Sequence, residues 1–413
     1  MPEFLKLLPP DEALQLYLDA LGAAHRPDSE RIPSEAGLDR VLAADITAPH
    51  PLPPFTRSTV DGYAVRAADT YGASASLPAY LKLIGEVQMG QATDLVIGQH
   101  QTALVHTGGM IPAGANAVVM LEDTEIARAN EVEIHKPAAV QDNVLLEGED
   151  VQAGDAIFSA GTSLRPQEIG GLMGLGITEI DVIRRPRVGI LSTGDEVVPP
   201  GEQAGPGQVR DINTYTLSAL VTRAGGEAQS YGIIPDDSGQ LRKAAQQAHA
   251  ECDLVIITAG SSVSARDITA DIIAELGSPG VLVHGVAIRP GKPTILALAD
   301  HVPVIGLPGN PVSALVIAGL FVMPVMRYIH GMPPHALHPY LDAEVNVNIA
   351  SITGREDYLP VRLHRDGKRL LAEPIYGRSN LIFTLVRADG LVRIPAEATG
   401  IAAGSPVRVH LLT

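Results

Sequence analysis

The chain of 413 residues carries 30 Lys+Arg against 47 Asp+Glu, a formal charge of −17. At roughly 150 residues per domain this length points to about three packed units, and the acidic balance argues against nucleic-acid partners, so any anionic ligand must be held by local groups. The 41 Gly and 32 Pro disfavour a fibrous or all-helical chain, and the single Cys252 leaves no internal disulfide and no thiolate metal cluster, which fits a cytoplasmic setting.

The first residues, Met1 to Pro10, lack a basic head and a continuous apolar core, so no secretory leader or transit peptide is expected. Asp11 is expected to cap a docking helix carrying Leu14, Tyr17, Leu18 and Leu21, stopped by Gly22. From Ile46 to Asn143 short apolar runs alternate with Pro, Gly and Asp, the texture of a β-rich region. Gly161 to Ile183 returns to small apolar residues that suit a short, closely packed helix, with a boundary near Arg184 to Arg187.

Beyond that boundary strand, loop and helix repeat. Strands are expected at Val188–Leu191, Tyr231–Ile234, Leu254–Ile257, Val281–Ile288, Thr294–Leu298 and Val302–Gly306; helices at Thr214–Ala224, Leu241–Ala250, Ala265–Leu276 and from Pro311 onward. This is the pattern of a doubly wound parallel α/β domain. The apolar stretch Val312 to Met326 is shorter than the ~20 residues of a membrane span and contains Pro324, so it reads as a buried helix. From Pro339 on, alternating residues such as Val345, Val347, Val361, Leu363, Val407 and Val409 predict a small β-barrel or sandwich.

In an open parallel sheet ligands settle beyond the carboxyl ends of the strands. The loops leaving those ends are Ser192-Thr193-Gly194-Asp195-Glu196, Pro235-Asp236-Asp237-Ser238, and Thr258 through Ser264, which includes Ser261 and Ser262. Their tips are expected to converge. Hydroxyls at the start of the next helix suit a phosphate and the carboxylates suit Mg²⁺, with Asp267 in the first helical turn able to face the same crevice; helix capping is the alternative role for each of these side chains. A fourth loop, Ile288-Arg289-Pro290-Gly291-Lys292-Pro293, sets two cations three residues apart on a stiff turn that could clamp a tetrahedral oxyanion, or simply be solvated. It is no Walker loop, because Pro293 stands where Ser or Thr would bind magnesium. The fifth loop, Gly306 through Ser313 with Asn310, aims at the same face or serves as a rigid connector. Asp61 in Asp61-Gly62, Thr107 in Thr107-Gly108-Gly109 and Asp150 in Gly148-Glu149-Asp150 are either polar site residues or turn formers. His335 and His338, among prolines, are weak metal candidates, and no HExxH or GxGxxG occurs.

Taken in order, SxxDGYAV at Ser58–Val65, HTGGxxPxGANAVV at His106–Val119, GED at Gly148–Asp150, STGDE at Ser192–Glu196, Asp236-Asp237, IRPGKP at Ile288–Pro293 and GLPGNPVSA at Gly306–Ala314 resemble the molybdopterin molybdenumtransferase family, MoeA and the gephyrin E domain. The resemblance implies an elongated homodimer of four domains: a small discontinuous helical and mixed domain (1–51 and 144–186), a β-rich inserted domain (52–143), the α/β molybdopterin-binding domain (187–333) and a C-terminal β-barrel (334–413). It implies Mg²⁺-dependent cleavage of adenylyl-molybdopterin, with molybdate entering the dithiolene and AMP released. Residue by residue, Glu196, Asp236 and Asp267 resemble the metal ligands; Asp61 and Lys292 join them as catalytic candidates. Thr107, Asp150, Thr193, Gly194, Asp195, Ser261, Ser262, Ser264, Arg289, Pro293, Asn310, Ser313, Arg355 and Ser379 fall on the substrate side, with Asp61, Thr107 and Asp150 delivered across the dimer interface. Transient contact with the molybdopterin adenylyltransferase and with apo-molybdoenzymes follows from the same likeness, as do a tungstate-inserting or a non-catalytic scaffold variant.

The sequence departs from the family pattern in places. Ser261-Ser262-Val263-Ser264-Ala265-Arg266 replaces a glycine-rich GGVSxG loop, adding side chains where backbone approaches ligand; Arg289 replaces lysine; Val144 to Glu147 lacks the arginines found before GED; Val60 replaces methionine.

Overall fold

The computed structural model describes residues 7–23, 28–259, 263–334 and 339–412, and for 263–267 the description stops at the backbone. The helix Pro10–Ala20 buries Ala13, Tyr17 and Leu18 against the α/β sheet, and the Tyr17 hydroxyl donates to the Ala297 carbonyl at 3.0 Å. Asp11 is not its cap. Pro9 holds the N-cap position without a side-chain bond, and Asp11 reaches from the first turn to Arg393, 382 residues away, at 2.9 Å. Gly22 lies within the short 3-10 turn Leu21–Ala23.

Ser29–Pro33 pairs antiparallel with Glu179–Ile183, and Ile46–Thr47 with Ala156–Phe158, around Leu42, Leu164, Leu172, Ile180 and Val182. The chain leaves this small unit and returns through the pairing of Arg57–Ser58 with Val144–Leu145. Between them runs a six-stranded sheet from Gly62 to Ile134. Alternation along Gly62–Val65 sends Tyr63 and Val65 into one core and Ala64 into another, so both faces of this sheet are covered.

The second six-stranded sheet places Arg187–Thr193 between Glu227–Ile234 and Leu254–Ala259, followed by Val302–Pro308, Ile295–Ala299 and Pro279–His284. The first four run parallel; the last two are antiparallel to their neighbours. Every residue of Leu254–Ala259 is buried, as a strand covered on both faces requires. One face carries Asn213–Arg223, the N-terminal helix and the helix from Pro311; the other carries Ser238–Glu251 and Val263–Glu275.

The run expected as one strand from Val281 to Ile288 is broken. Its first part ends at His284, Gly285 takes φ +103°, and Ile288–Arg289 crosses to pair in parallel with Glu356 and Asp357. The break falls at His284-Gly285, the two residues that interrupt the apolar run.

The apolar helix spans Pro311–Ile329, with a π turn at Ala318–Val322 that admits Pro324 by resetting the hydrogen-bond ladder. Its mean hydropathy of 1.9 and 19 residues suffice in length and composition for a membrane span, but 67% of it is buried inside the protein. Phe321, Val322, Val325 and Met326 are wholly enclosed there. Near the C-terminus Glu356–Asp366, Arg369–Pro374, Tyr340–Val345, Pro406–Leu411 and Gly390–Ile394 close into a five-stranded barrel around Val361, Ala372, Val392 and Val409.

Candidate active site

Register aligns the strand ends. Ser192 lies beside Thr258, Thr193 beside Ile234, and Thr258 beside Leu307, so the loops that follow leave one edge of the sheet together. Because Arg187–Thr193 has the sheet's second strand on one side and its third on the other, this edge is also the topological switch point, where a crevice opens. Thr193 Oγ1 donates to the Thr258 carbonyl at 3.1 Å and fixes the floor.

A cavity of about 310 Å³ on this edge is lined by Thr193, Glu196, Arg210, Asp211, Asn213, Asn310 and Asn380, among others. Gly194, at φ +138°, is required here: a Cβ would stand 2.6 Å from Glu196 Oε2. Asp236 does not line the cavity but adjoins it, its N–H donating to Asp195 Oδ1 at 3.0 Å. Its pKa is pushed above the usual carboxylate value by desolvation and by the charges of Asp195 and Glu196. Asp237 instead caps the next helix, accepting from Gln240 N–H at 2.8 Å. Ser261, Ser262, Ser264 and Asp267 belong to the same predicted crevice, but Ser261 and Ser262 lie outside the described residues and the side chains of Ser264 and Asp267 are not described.

A second cavity, about 650 Å³, is lined by Arg289, Lys292, Pro293, Asn310, Ser313, Arg355, Asp357, Arg378 and Ser379. Four cationic side chains face one carboxylate, a local reversal of the chain's acidic balance. Gly291, at φ +113°, lets the cationic loop lie against the helix from Pro311; a Cβ there would overlap Ile317 Cδ1 at 2.3 Å. The two cavities adjoin: Asn310 lines both, and Ser379 on one side is followed by Asn380 on the other. The Val312 N–H donates to the Ser379 carbonyl at 3.0 Å, and Asn213 Nδ2 donates to the Gly309 carbonyl at 2.8 Å, tying the partition in place.

Asp61 and Thr107 are brought together elsewhere. Both the N–H and Oγ1 of Thr107 donate to Asp61 Oδ1, at 2.8 and 3.2 Å, and the N–H bond, with nearby His106, holds the Asp61 carboxyl below its usual range. Asp150 is exposed on a turn fastened to the Leu52 carbonyl. None of the three lines either cavity of this chain. His335 and His338 lie outside the described residues. Among the described residues the three side chains with metal-ligand atoms within 4.8 Å of one another are Glu125, Glu133 and His135, on the outer strands of the first six-stranded sheet and outside the predicted set.

Sequence reasoning missed Asp357, Arg378, Asp211 and Asn213. For Asp357 a signal existed: it stands two residues after Arg355, at the start of a strand. For Asp211 and Asn213 it was a polar pair at the start of a helix, and Asp211 accepts from Thr214 N–H at 3.1 Å.

Adjoining acidic and cationic cavities at the switch point of a doubly wound sheet define a small-molecule site of the kind such folds carry, with the cationic end suited to an anion. The family models described as MoeA N-terminal region (domain I and II), probable molybdopterin binding domain, and MoeA C-terminal region (domain IV) match residues 8–176, 189–328 and 342–412. The molybdopterin molybdenumtransferase 2 of Mycobacterium tuberculosis is 32% identical over 94% of this chain and 96% of its own length, and the molybdopterin molybdenumtransferase of Bacillus subtilis 32% over 93% and 90%. A crystal structure of a molybdopterin biosynthesis MoeA protein from Pyrococcus horikoshii superposes with a TM-score of 0.83 at 37% identity, covering 99% of this chain and all of that one. The chain belongs to the MoeA family, as a transferase of molybdenum cofactor biosynthesis.

Proposed function

We propose that this chain cleaves adenylyl-molybdopterin and inserts molybdate into its dithiolene, releasing AMP. The observation that carries the reading is the shared wall: Asn310 borders both the acidic and the cationic cavity, so one extended substrate can occupy the two at once.

On the cationic side Arg289, Lys292, Ser313, Arg355 and Ser379 bind the tetrahedral oxo-anion, with Pro293 shaping the loop. On the other side Thr193, Gly194, Asp195, Asn310 and the serines at 261, 262 and 264 receive the nucleotide end. The acidic group fits magnesium. Asp236 is desolvated among like charges, a state relieved by a divalent cation, and the donors are hard oxygens. Glu196, Asp236 and Asp267 would hold it. When bound there it supplies charge neutralisation for the phosphoanhydride and the departing AMP. The protein's own part is positional: it fixes the two ends of the substrate at a set separation and needs no protein nucleophile, because an oxygen of molybdate or of water forms the new P–O bond as the anhydride bond breaks. Asp61, Thr107 and Asp150 act from the second copy in a homodimer, consistent with their lying outside this chain's cavities.

The test incubates purified protein with adenylyl-molybdopterin, Mg²⁺ and either molybdate or tungstate, and follows AMP. Molybdate-stimulated release is expected; release stimulated by tungstate alone would reassign the metal, and no release above a metal-free control would leave a scaffold with the same fold.

A further inference from the structure

Asp357 stands apart from the residues assigned above. At 6% exposure it is the one carboxylate among the four cationic side chains that line the larger cavity. Parallel pairing of Ile288–Arg289 with Glu356–Asp357 sets it directly beside Arg289, and Arg355, in the bend just before this strand, reaches it from the other side. Its Oδ2 lies 3.6 Å from Arg289 Nη1 and accepts from Ser351 Oγ at 2.9 Å; its Oδ1 lies 3.3 Å from Arg355 Nε.

These contacts are not those of a closed ion pair. Arg355 Nε and Asp357 Oδ1 are both buried and neither completes a hydrogen bond, so the charges attract without the forked geometry that would consume the guanidinium. Asp357 holds Arg355 through Nε and Arg289 through one terminal nitrogen. The remaining N–H groups of both arginines stay available on side chains that line the cavity. A buried carboxylate serving stability alone gains most from a bidentate partner, and here it has two loose ones.

We infer that Asp357 is a positioning residue that acts through Arg289 and Arg355, presenting their free N–H groups to a tetrahedral oxyanion and thereby setting its affinity. This rests on the proposed reading of the cavity as the oxo-anion site. The opposing effect of a carboxylate, subtraction of positive charge, predicts the reverse sign, which makes the inference decidable.

The experiment is titration calorimetry of the full chain with molybdate, tungstate and sulfate. Asp357→Asn keeps the shape and an acceptor for Ser351, and is expected to weaken molybdate binding by about tenfold, the usual scale for a residue that orients a binding group. In turnover the same variant should raise KM for molybdate and leave kcat nearly unchanged. In an Arg289→Ala background the effect of Asp357→Asn should shrink, which a purely structural role would not cause. Ser351→Ala frees the carboxylate without altering charge and should weaken binding in the same direction by a smaller factor; it carries the test if Asp357→Asn does not fold. Equal or tighter binding by Asp357→Asn, or by Ser351→Ala in its place, overturns the positioning role alone. Wild-type protein that binds none of the oxyanions overturns both that role and the reading of the cavity.

Discussion

Lys292→Ala is expected to lower kcat/KM for molybdate by about 10- to 10³-fold, with AMP binding unchanged. Among the described residues Lys292 has no carboxylate within 4 Å, whereas Arg289 and Arg355 share Asp357. Its charge, like that of Arg378, is therefore less neutralised than those of the two arginines that share Asp357. A hydrogen bond to a charged group contributes about 1.5–3 kcal/mol, and truncating one member of a desolvated charge pair costs about 2–5 kcal/mol, so one to three orders of magnitude follow from this residue. Lys292→Arg should retain part of the activity, since charge is kept while the point donor becomes a planar fork. Steady-state kinetics with molybdate varied at fixed adenylyl-molybdopterin checks both. An alanine variant with unaltered kcat/KM would remove Lys292 from the site.

Asp236→Asn separates activity from stability in opposite directions. The variant should lose magnesium-dependent AMP release by at least about 10²-fold, the scale for removing a charged group that organises the reacting centre. Its effect on stability has the other sign. A carboxylate whose pKa rises on folding contributes stability that is fully present below its unfolded value of 3.8 and is lost as pH rises through the higher folded value. Near neutral pH in the absence of metal, Asp236 is therefore a liability to the fold, and the asparagine variant should melt slightly above wild type, the gap closing towards acid. Added magnesium should raise the wild-type Tm more than the variant's. Scanning calorimetry of both proteins at neutral and acid pH, with and without magnesium, measures these shifts.

The pattern of residues made much of this legible. The unbroken run Leu254 to Ile257 announced a fully covered strand, and Arg289-Pro290-Gly291-Lys292 announced a cationic turn; both lie where their local chemistry put them. Asp237 took the capping role that any Asp before a helix can take, while Asp236 beside it stayed uncapped and near Glu196. What escaped was set by partners far along the chain. Asp11 bonds Arg393 rather than its own helix, and Ile288–Arg289 leaves one sheet for another because Glu356 and Asp357 offer an open edge there. Asp357 went unremarked for the same reason: its meaning depends on Arg289, and no local window contains both. The antiparallel outer strands of the α/β sheet follow from short connections between Pro279 and Val302, too short for helical crossovers.

Crystals grown with tungstate, AMP and Mn²⁺ in place of magnesium allow both sides of the Asn310 partition to be located by anomalous scattering in one experiment. The account predicts tungsten against Arg289, Lys292 and Arg355, and manganese beside Glu196 and Asp236. Tungsten bound outside the larger cavity, or manganese bound only at Glu125, Glu133 and His135, would contradict it.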